Sequence, residues 1–103
     1  MKEEPLCNEY KDGTKIWVLN GKLHRKGGPA IVFPNGHKAW YVNGLLHRVD
    51  GPALEGVNGY TAWFLNGKRH RKDGPAIVLI DRTKFWYLHG KEVTEEEHKK
   101  LVG

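Results

Sequence analysis

The sequence contains no serine, a single cysteine and no long apolar run, and each absence narrows the function. Without serine, and with no acid or base set apart as an isolated constellation, nothing indicates nucleophilic catalysis. The one cysteine, Cys7, has no disulfide partner within the chain. The start of the chain is charged and broken by Pro5, and no apolar stretch is long enough for a signal core or a membrane span. We therefore expect a non-enzymatic, cytoplasmic protein without membrane insertion.

What the sequence has instead is a 23-residue period. Tryptophan recurs at this step as Trp17, Trp40, Trp63 and Trp86. The same step separates three motifs, namely Asn-Gly at 20–21, 43–44 and 66–67, His-Arg at 24–25, 47–48 and 70–71, and Gly-Pro-Ala at 28–30, 51–53 and 74–76. A fixed period of this length is typical of stacked repeat proteins, whose function belongs to a surface made by repetition. We assign residues 12–94 to an array of three and a half copies, numbered 1 to 4 by their tryptophans.

Two turns in each copy predict the fold. Asn-Gly between alternating residues favours a type I′ hairpin turn, in which both central residues have positive φ. A second turn is expected between copies, at Asp12-Gly13, Asn35-Gly36, Asn58-Gly59 and Asp81-Arg82. Roughly seven or eight strands of about five residues then form an all-β, single-layer, twisted antiparallel meander of hairpins. Because proline removes a strand donor, each Gly-Pro is expected to bend the returning strand.

Matched pairing across two-residue turns sorts the side chains between two faces. It predicts that Ile31 faces Trp40 and that Phe33 faces Lys38. One face is expected to carry the four tryptophans, Ile31, Leu54, Ile77, Leu19, Val42, Leu65, Leu88 and the histidines. The other is expected to carry Val18, Tyr41, Phe64, Tyr87, Ala30, Ala53, Ala76, Arg25, Arg48 and Arg71. We expect the tryptophan side to be the better buried face.

The two ends of the chain depart from the period. Residues 1–11 lack the repeated motifs and are assigned to a leader. Thr94-Glu95-Glu96-Glu97 is a capping box with acids in the first helical turn, followed by basic residues. This pattern predicts a short capping helix at 95–103, whose Leu101 and Val102 close the last strand.

The stretch Asn43-Gly44-Leu45-Leu46-His47 after Tyr41, with its counterpart Asn66-Gly67-Lys68-Arg69-His70 after Phe64, resembles the MORN (membrane occupation and recognition nexus) repeat. MORN repeats build single-layer antiparallel sheets from hairpins. They usually carry Gly-x-Gly after the histidine, whereas this chain has Arg-x-(Asp/Gly)-Gly-Pro-Ala, a variant that resembles short MORN-like proteins of bacteriophages, giant viruses and some bacteria. The resemblance implies a binding or scaffolding role, with a phage-encoded inhibitor of a host protein, acting in the host cytoplasm, as one setting.

The recurrent histidines raise the question of a metal site. Each copy supplies two strands about 4.8 Å apart, so His24, His47, His70 and His89 are expected about 10 Å from one another. That distance is too long for ligands of one metal ion. We expect neither a metal nor another cofactor. The histidines and tryptophans are instead assigned a structural role, with His24, His47 and His70 packed over neighbouring tryptophans.

The array is basic, since residues 14–91 hold 13 Lys or Arg against 4 Asp or Glu in a chain of net charge +5. The residues predicted to bind a partner are Tyr41, Phe64, Tyr87, Arg25, Arg48, Arg69 and Arg71. Tyr, Phe and Arg are typical of protein interfaces, so we expect docking on a larger protein through a sheet face or edge. Nucleic acid bound on the same basic, aromatic face is the alternative. Two alternatives remain. The chain forms a homodimer through a face or edge, or the arginines serve only to stabilise the Gly-Pro bend.

Overall fold

The computed structural model describes residues 4–103 as an antiparallel β-sheet with one short C-terminal helix. Residues 1–3 of the predicted leader lie outside the described residues. The described elements are β1 (Leu6–Glu9), β2 (Lys15–Leu19), β3 (Lys22–Leu23), β4 (Ile31–Val32), β5 (Lys38–Ala39), β6 (Tyr41–Val42), β7 (Leu45–Leu46), β8 (Leu54–Glu55), β9 (Thr61–Ala62), β10 (Phe64–Leu65), β11 (Lys68–Arg69), β12 (Ile77–Val78), β13 (Lys84–Leu88), β14 (Lys91–Val93) and α1 (Glu95–Val102).

The strands follow one another as a meander, which confirms the predicted fold class. The largest sheet has the order β1-β2-β4-β5-β8-β9-β12-β13-β14, with β3 paired to β2. The β6–β7 and β10–β11 hairpins stand beside it as two-stranded units. Successive hairpins are joined, because the amide of Gly44 donates to the carbonyl of Leu23 and the amide of Gly67 donates to that of Leu46, both at 2.8 Å.

The strands are shorter and more numerous than predicted. Fourteen lie within residues 4–103, most of them only two residues long. In each copy the outgoing strand precedes the Asn-Gly turn and the returning strand follows it. Each returning strand is split at its Gly-Pro bend, as expected. In copy 2 the outgoing strand is interrupted as well, at Trp40. Its N–H donates to the carbonyl of Ala53 (2.7 Å), and its carbonyl accepts from the amide of His47 (3.0 Å). Trp40 thus bonds to the returning strand on both sides of the bend.

The Asn-Gly turns adopt the predicted backbone. Asn43 and Gly44 have φ angles of 52° and 81°, the left-handed conformations that a type I′ turn requires. His89 and Gly90 repeat this geometry at 52° and 86°. The turn therefore persists in copy 4, although a histidine replaces the asparagine.

The turn between copies has three loop residues instead of two, and this changes the register. The amide of Phe33 donates to the carbonyl of His37 at 2.9 Å, so residues 34–36 form the loop. Its last residue, a glycine, has φ 94°, as in a hairpin with a G1 bulge. Lys38 consequently pairs with Val32 and not with Phe33, which corrects the prediction.

A shift of one residue moves side chains to the opposite face of a sheet. Ile31 pairs with Ala39, not with Trp40 as predicted. The same register places one row of side chains on a single face, in the order Ile16, Ile31, Ala39, Leu54, Ala62, Ile77 and Phe85. The prediction that Ile31, Leu54 and Ile77 share the tryptophan side is therefore wrong.

Alternation along each strand completes the two faces. Tyr41 lies on the side of Ala39, and Trp40 lies on the other side. We call the first the Tyr face, after Tyr41, Phe64 and Tyr87, and the second the Trp face, after Trp17, Trp40, Trp63 and Trp86. Ala30, Ala53 and Ala76 pair with the tryptophan backbones at 2.6 to 2.8 Å and lie on the Trp face, opposite to the prediction.

The most deeply buried side chains are small. The alanines at positions 30, 39, 53, 62 and 76 are 0–3% exposed, whereas all four tryptophans are only half-buried. The main apolar cluster consists of Ala62, Ala76 and Ile77, and side chains of both faces pack against it, among them Trp63 and Phe64. Both faces therefore contribute to the core, and greater burial of the Trp face stays a prediction.

The N-terminal end adds a strand that the sequence does not predict. In the leader, Leu6–Glu9 pairs residue by residue with β2 and forms one edge of the sheet. Its four residues are exposed. Among residues 4–103, no helix has the length and apolar character needed to cross a membrane.

The C-terminal helix begins at the predicted capping box. Thr94 Oγ1 accepts from the amide of Glu97 at 3.0 Å, and the Glu97 carboxylate accepts from the amide of Thr94 at 2.8 Å. Hydrogen bonding of the carboxylate to the Thr94 amide, and then to the Thr94 side chain, lowers the pKa of Glu97. Leu101 and Val102 are 68% and 41% exposed, so the prediction that they close the last strand is wrong. His98, only 2% exposed, makes that contact instead.

Candidate binding surfaces

Each repeat arginine lies over the tryptophan of its own copy, on the Trp face. The Cζ atoms of Arg25, Arg48 and Arg71 are 3.9, 3.9 and 4.0 Å from the ring centroids of Trp17, Trp40 and Trp63. Each Nη1 also donates to the proline carbonyl of the following bend, at 3.1 to 3.2 Å. The π-electrons of an indole attract a cation at such a distance. The prediction that the arginines lie opposite the tryptophans is therefore wrong.

The glycine before each proline is required by this stack. A Cβ atom at Gly51 would stand 2.7 Å from Cζ of Arg48, and at Gly74 it would stand 2.8 Å from Cζ of Arg71. Any larger residue would push the guanidinium off the ring. Arginine, glycine and tryptophan therefore act together to fix the bend.

The repeat histidines join successive copies. Nδ1 of His24 accepts from the amide of Asn43 at 3.0 Å, and Nδ1 of His47 accepts from that of Asn66 at 2.9 Å. In copy 3, Nδ1 of His70 accepts from the amide of the next turn in the same way, at 2.9 Å. An acceptor at Nδ1 requires a neutral ring. Each histidine thus satisfies a turn amide of the next copy.

His70 differs from the others because its partner in the next turn is His89. The two ring centroids are 4.4 Å apart, closer than the spacing of about 10 Å expected from the strands. Burial, then the charges of His89, Lys72 and His98, lowers the pKa of His70. Within residues 4–103, no group of three or more His, Cys, Asp or Glu side chains is arranged to hold a metal ion.

Copy 4 has no arginine over its tryptophan, and the helix replaces it. The ring of His98 lies 4.9 Å from that of Trp86, centroid to centroid. Its Nε2 donates to the carbonyl of Arg71 at 2.6 Å. The helix therefore packs on the Trp face at the end of the array, away from the Tyr face.

Successive hairpins place one aromatic ring each on the Tyr face. In the strand pairs, Tyr41 lies opposite Leu46, Phe64 opposite Arg69, and Tyr87 opposite Glu92. Cζ of Arg69 is 5.8 Å from the Phe64 ring centroid and 5.4 Å from that of Tyr87. The structure thus brings four predicted binding residues together, namely Tyr41, Phe64, Tyr87 and Arg69. It places Arg25, Arg48 and Arg71 on the opposite face.

Charge is divided between the faces in the same way. Strand pairing puts six lysines on the Trp face, namely Lys15, Lys22, Lys38, Lys68, Lys84 and Lys91. At the paired strand positions of the Tyr face, the basic side chain is Arg69. The basic character of the array therefore belongs to the Trp face, and the Tyr face is mainly apolar.

The Trp face also carries two similar grooves between copies. One, of about 390 Å³, lies between the Arg25 loop and the wall formed by Trp40, Val42 and His47. The other, of about 500 Å³, lies between the Arg48 loop and the corresponding wall of copy 3. These grooves depend on where the arginine loops fold, so no local pattern in the sequence indicates them.

Comparison with family models, curated proteins and solved structures finds no match for this chain. The resemblance to MORN repeats stays an expectation from the sequence. The function therefore rests on the chemistry of the two faces.

Proposed function

We propose that this chain is a non-enzymatic protein-binding module that docks on a larger protein through its Tyr face. The observation that carries this proposal is the half-buried row of Tyr41, Phe64 and Tyr87, one in each successive hairpin, with Arg69 over two of the rings. Aromatic residues and arginine are enriched at the energetic centres of protein interfaces. The row therefore has the composition of a docking site.

The size and surroundings of the row support docking. It continues into the aliphatic row of Ile31, Leu54 and Ile77, which shares the same face. The molecule measures 44 × 34 Å across its two longer dimensions. A standard interface buries about 800 Å² on each partner, which a face of this extent accommodates. A mainly apolar face on a one-layer sheet is stabilised when a partner covers it.

An inhibitor or adaptor is the role that suits such a module. The resemblance to short MORN-like proteins of bacteriophages suggests a phage-encoded inhibitor of a host protein, acting in the host cytoplasm. In this role, binding alone blocks or recruits the partner, and the chain itself performs no chemistry.

Nucleic-acid binding on the Tyr face is less well supported. That function combines cations with rings on which bases stack. The structure separates the two, since Arg25, Arg48 and Arg71 lie over tryptophans on the opposite face. Protein docking needs only what the Tyr face offers.

Capture from a nuclease-treated bacterial lysate tests the proposal. We expect the wild type to retain a specific protein at both low and high salt, since an apolar contact is less sensitive to ionic strength than phosphate binding. Phe64→Ala is expected to weaken binding by about 2 kcal/mol or more, and Lys100→Ala, on the exposed side of α1, by almost nothing. Circular dichroism and thermal unfolding establish that both variants are folded.

Three results would contradict the proposal. Capture that disappears with nuclease or moderate salt indicates nucleic acid. A dimer that persists on dilution in light scattering and is lost in Phe64→Ala indicates that a second copy covers the face. Equal capture by both variants removes the Tyr face from the binding site.

A further inference from the structure

The arginine loop of copy 1 differs from its counterparts. Arg25 is followed by Lys26, Gly27 and Gly28, whereas the next two loops read Arg-Val-Asp-Gly at 48–51 and Arg-Lys-Asp-Gly at 71–74. In those loops the aspartate accepts from the arginine Nε, at 3.2 Å in copy 2 and 2.9 Å in copy 3. A glycine replaces this aspartate in copy 1. Among residues 4–103, Arg25 forms no ion pair.

Arg25 is nevertheless held like the other two arginines. Its Cζ lies 3.9 Å from the Trp17 ring centroid, and its Nη1 donates to the carbonyl of Pro29 at 3.1 Å. The side of the guanidinium that meets a carboxylate in copies 2 and 3 is therefore open in copy 1. Around the position that a Cβ of Gly27 would take, none of the described residues beyond its two chain neighbours has a heavy atom within 4 Å. An external oxyanion can bind there without the cost of ordering the arginine.

A second cation lies beside this opening. Lys26 and Arg25 line the 390 Å³ groove, whose other wall includes Trp40 and Val42. Arg48 and Asp50 also border the groove, but Arg48 already pairs with this aspartate and with Glu55. Arg25 and Lys26, which have no carboxylate partner among residues 4–103, favour a doubly charged phosphate over a singly charged carboxylate.

The arginine loop of copy 3 is an internal comparison. It has Lys72 next to Arg71, as the loop of copy 1 has Lys26 next to Arg25, although in the second groove itself Arg48 and Val49 occupy the places of Arg25 and Lys26. Asp73 accepts from Arg71, and this bond lowers the pKa of the aspartate. The protein's own carboxylate thus occupies in copy 3 the position that is open in copy 1.

We propose that the first groove binds a nucleotide, free or within a single strand, with its phosphate at Arg25 and Lys26. The base lies toward Trp40 and Val42, in a groove within the size range of small-ligand sites, which begins at about 300 Å³. This site lies on the Trp face and is independent of protein docking through the Tyr face.

Titration followed by amide and indole NMR signals tests the site, at constant ionic strength. The probes are inorganic phosphate, adenosine monophosphate and a short single-stranded oligonucleotide. We expect saturable shifts at Gly27, Gly28 and the Trp40 indole, larger than those at Gly74. Adenosine monophosphate should bind more tightly than phosphate, and a further gain with the oligonucleotide identifies a strand as the ligand. Equal affinity for phosphate and mononucleotide, or shifts of equal size in both loops, overturns the proposal.

Substitution of Gly27 separates charge from shape. Gly27→Asp supplies the missing carboxylate. Gly27 has φ 87°, a backbone that neither Asp50 nor Asp73 adopts, so the uncharged isostere Gly27→Asn is the matched control that carries the same backbone strain. Gly27→Asp is expected to bind the nucleotide about tenfold or more weakly than Gly27→Asn. Lys26→Ala should also weaken binding, and its copy 3 control Lys72→Ala should not. Equal binding by the Asp and Asn variants, both shown to be folded by thermal unfolding, contradicts the site.

Discussion

The guanidinium of Arg48 lies over the indole of Trp40, with Cζ 3.9 Å from the ring centroid. The bend glycine beneath it leaves room for this contact, since a Cβ there would come within 2.7 Å of Cζ. The same arrangement recurs in copies 1 and 3. The repeat arginines thus hold the bend to the outgoing strand, and the half-buried aromatic row of Tyr41, Phe64 and Tyr87 lies on the other face.

Trp63→Ala should be strongly destabilising. The ring packs against the cluster around Ala62 and Ile77 and lies under Arg71. We expect a loss of about 3 kcal/mol in the free energy of unfolding, near the low end for such substitutions because the ring is half-buried. Trp63→Phe, which keeps an aromatic ring under the cation, should lose less. Urea denaturation measures both, and a loss below about 1 kcal/mol for the alanine variant would contradict this packing.

The helix should depend on His98 and not on its apolar end. His98→Ala removes the contact with Trp86 and the hydrogen bond to Arg71, so it should cost about 2 kcal/mol and reduce helical circular dichroism. Leu101→Ala, on the same helix at a position 68% exposed, should change stability by less than about 0.5 kcal/mol. A larger loss of stability in Leu101→Ala than in His98→Ala would support the packing predicted from the sequence, in which Leu101 and Val102 close the last strand.

Acid should weaken the array through His70. Burial and neighbouring cations lower its pKa, so in the folded state the ring stays neutral below the ordinary value of about 6.5. The unfolded state then binds more protons, and stability falls as the pH drops below about 6.5. Urea midpoints from about pH 7.5 to 5.5 should therefore decrease more steeply for the wild type than for His70→Gln. Identical slopes would show that His70 titrates normally in the fold.

Local motifs predict much of the fold correctly. Asn43-Gly44 predicts a turn with two positive φ angles because few other pairs adopt that backbone cheaply. Thr94 and Glu97 predict the helix start because each bonds the other's amide. The interactions that fix these features lie within a few residues of one another.

The faces are harder to predict because they depend on register. The turn between copies has three loop residues, stabilised in part by Asn35, whose side chain accepts from the amide of His37 at 3.0 Å. Asp12 and Asp81 accept from the amides of Thr14 and Thr83 in the same way, so an Asx residue three positions before the next strand is a signal of this loop in the sequence. A prediction that counts two loop residues instead of three shifts the pairing by one residue and assigns the paired side chains to the wrong face.

The end of the array depends on distant contacts. His98 replaces the arginine over Trp86 only because the helix folds back, and no local pattern specifies that direction. The candidate site was therefore predicted in part. Tyr41, Phe64, Tyr87 and Arg69 share one face as required, while the arginine stacks and the open Arg25 loop emerge only from the folded chain.

The most direct test of docking through the Tyr face compares charge reversals at two neighbouring residues. Arg69 and Lys68 are both exposed in β11, but they pair with Phe64 and Leu65 and therefore point to opposite faces. Calorimetric titration of the captured partner protein should show about a tenfold or greater loss of affinity for Arg69→Glu and a change within about twofold for Lys68→Glu. Equal affinities for the two variants, or a loss confined to Lys68→Glu, would contradict docking through the Tyr face.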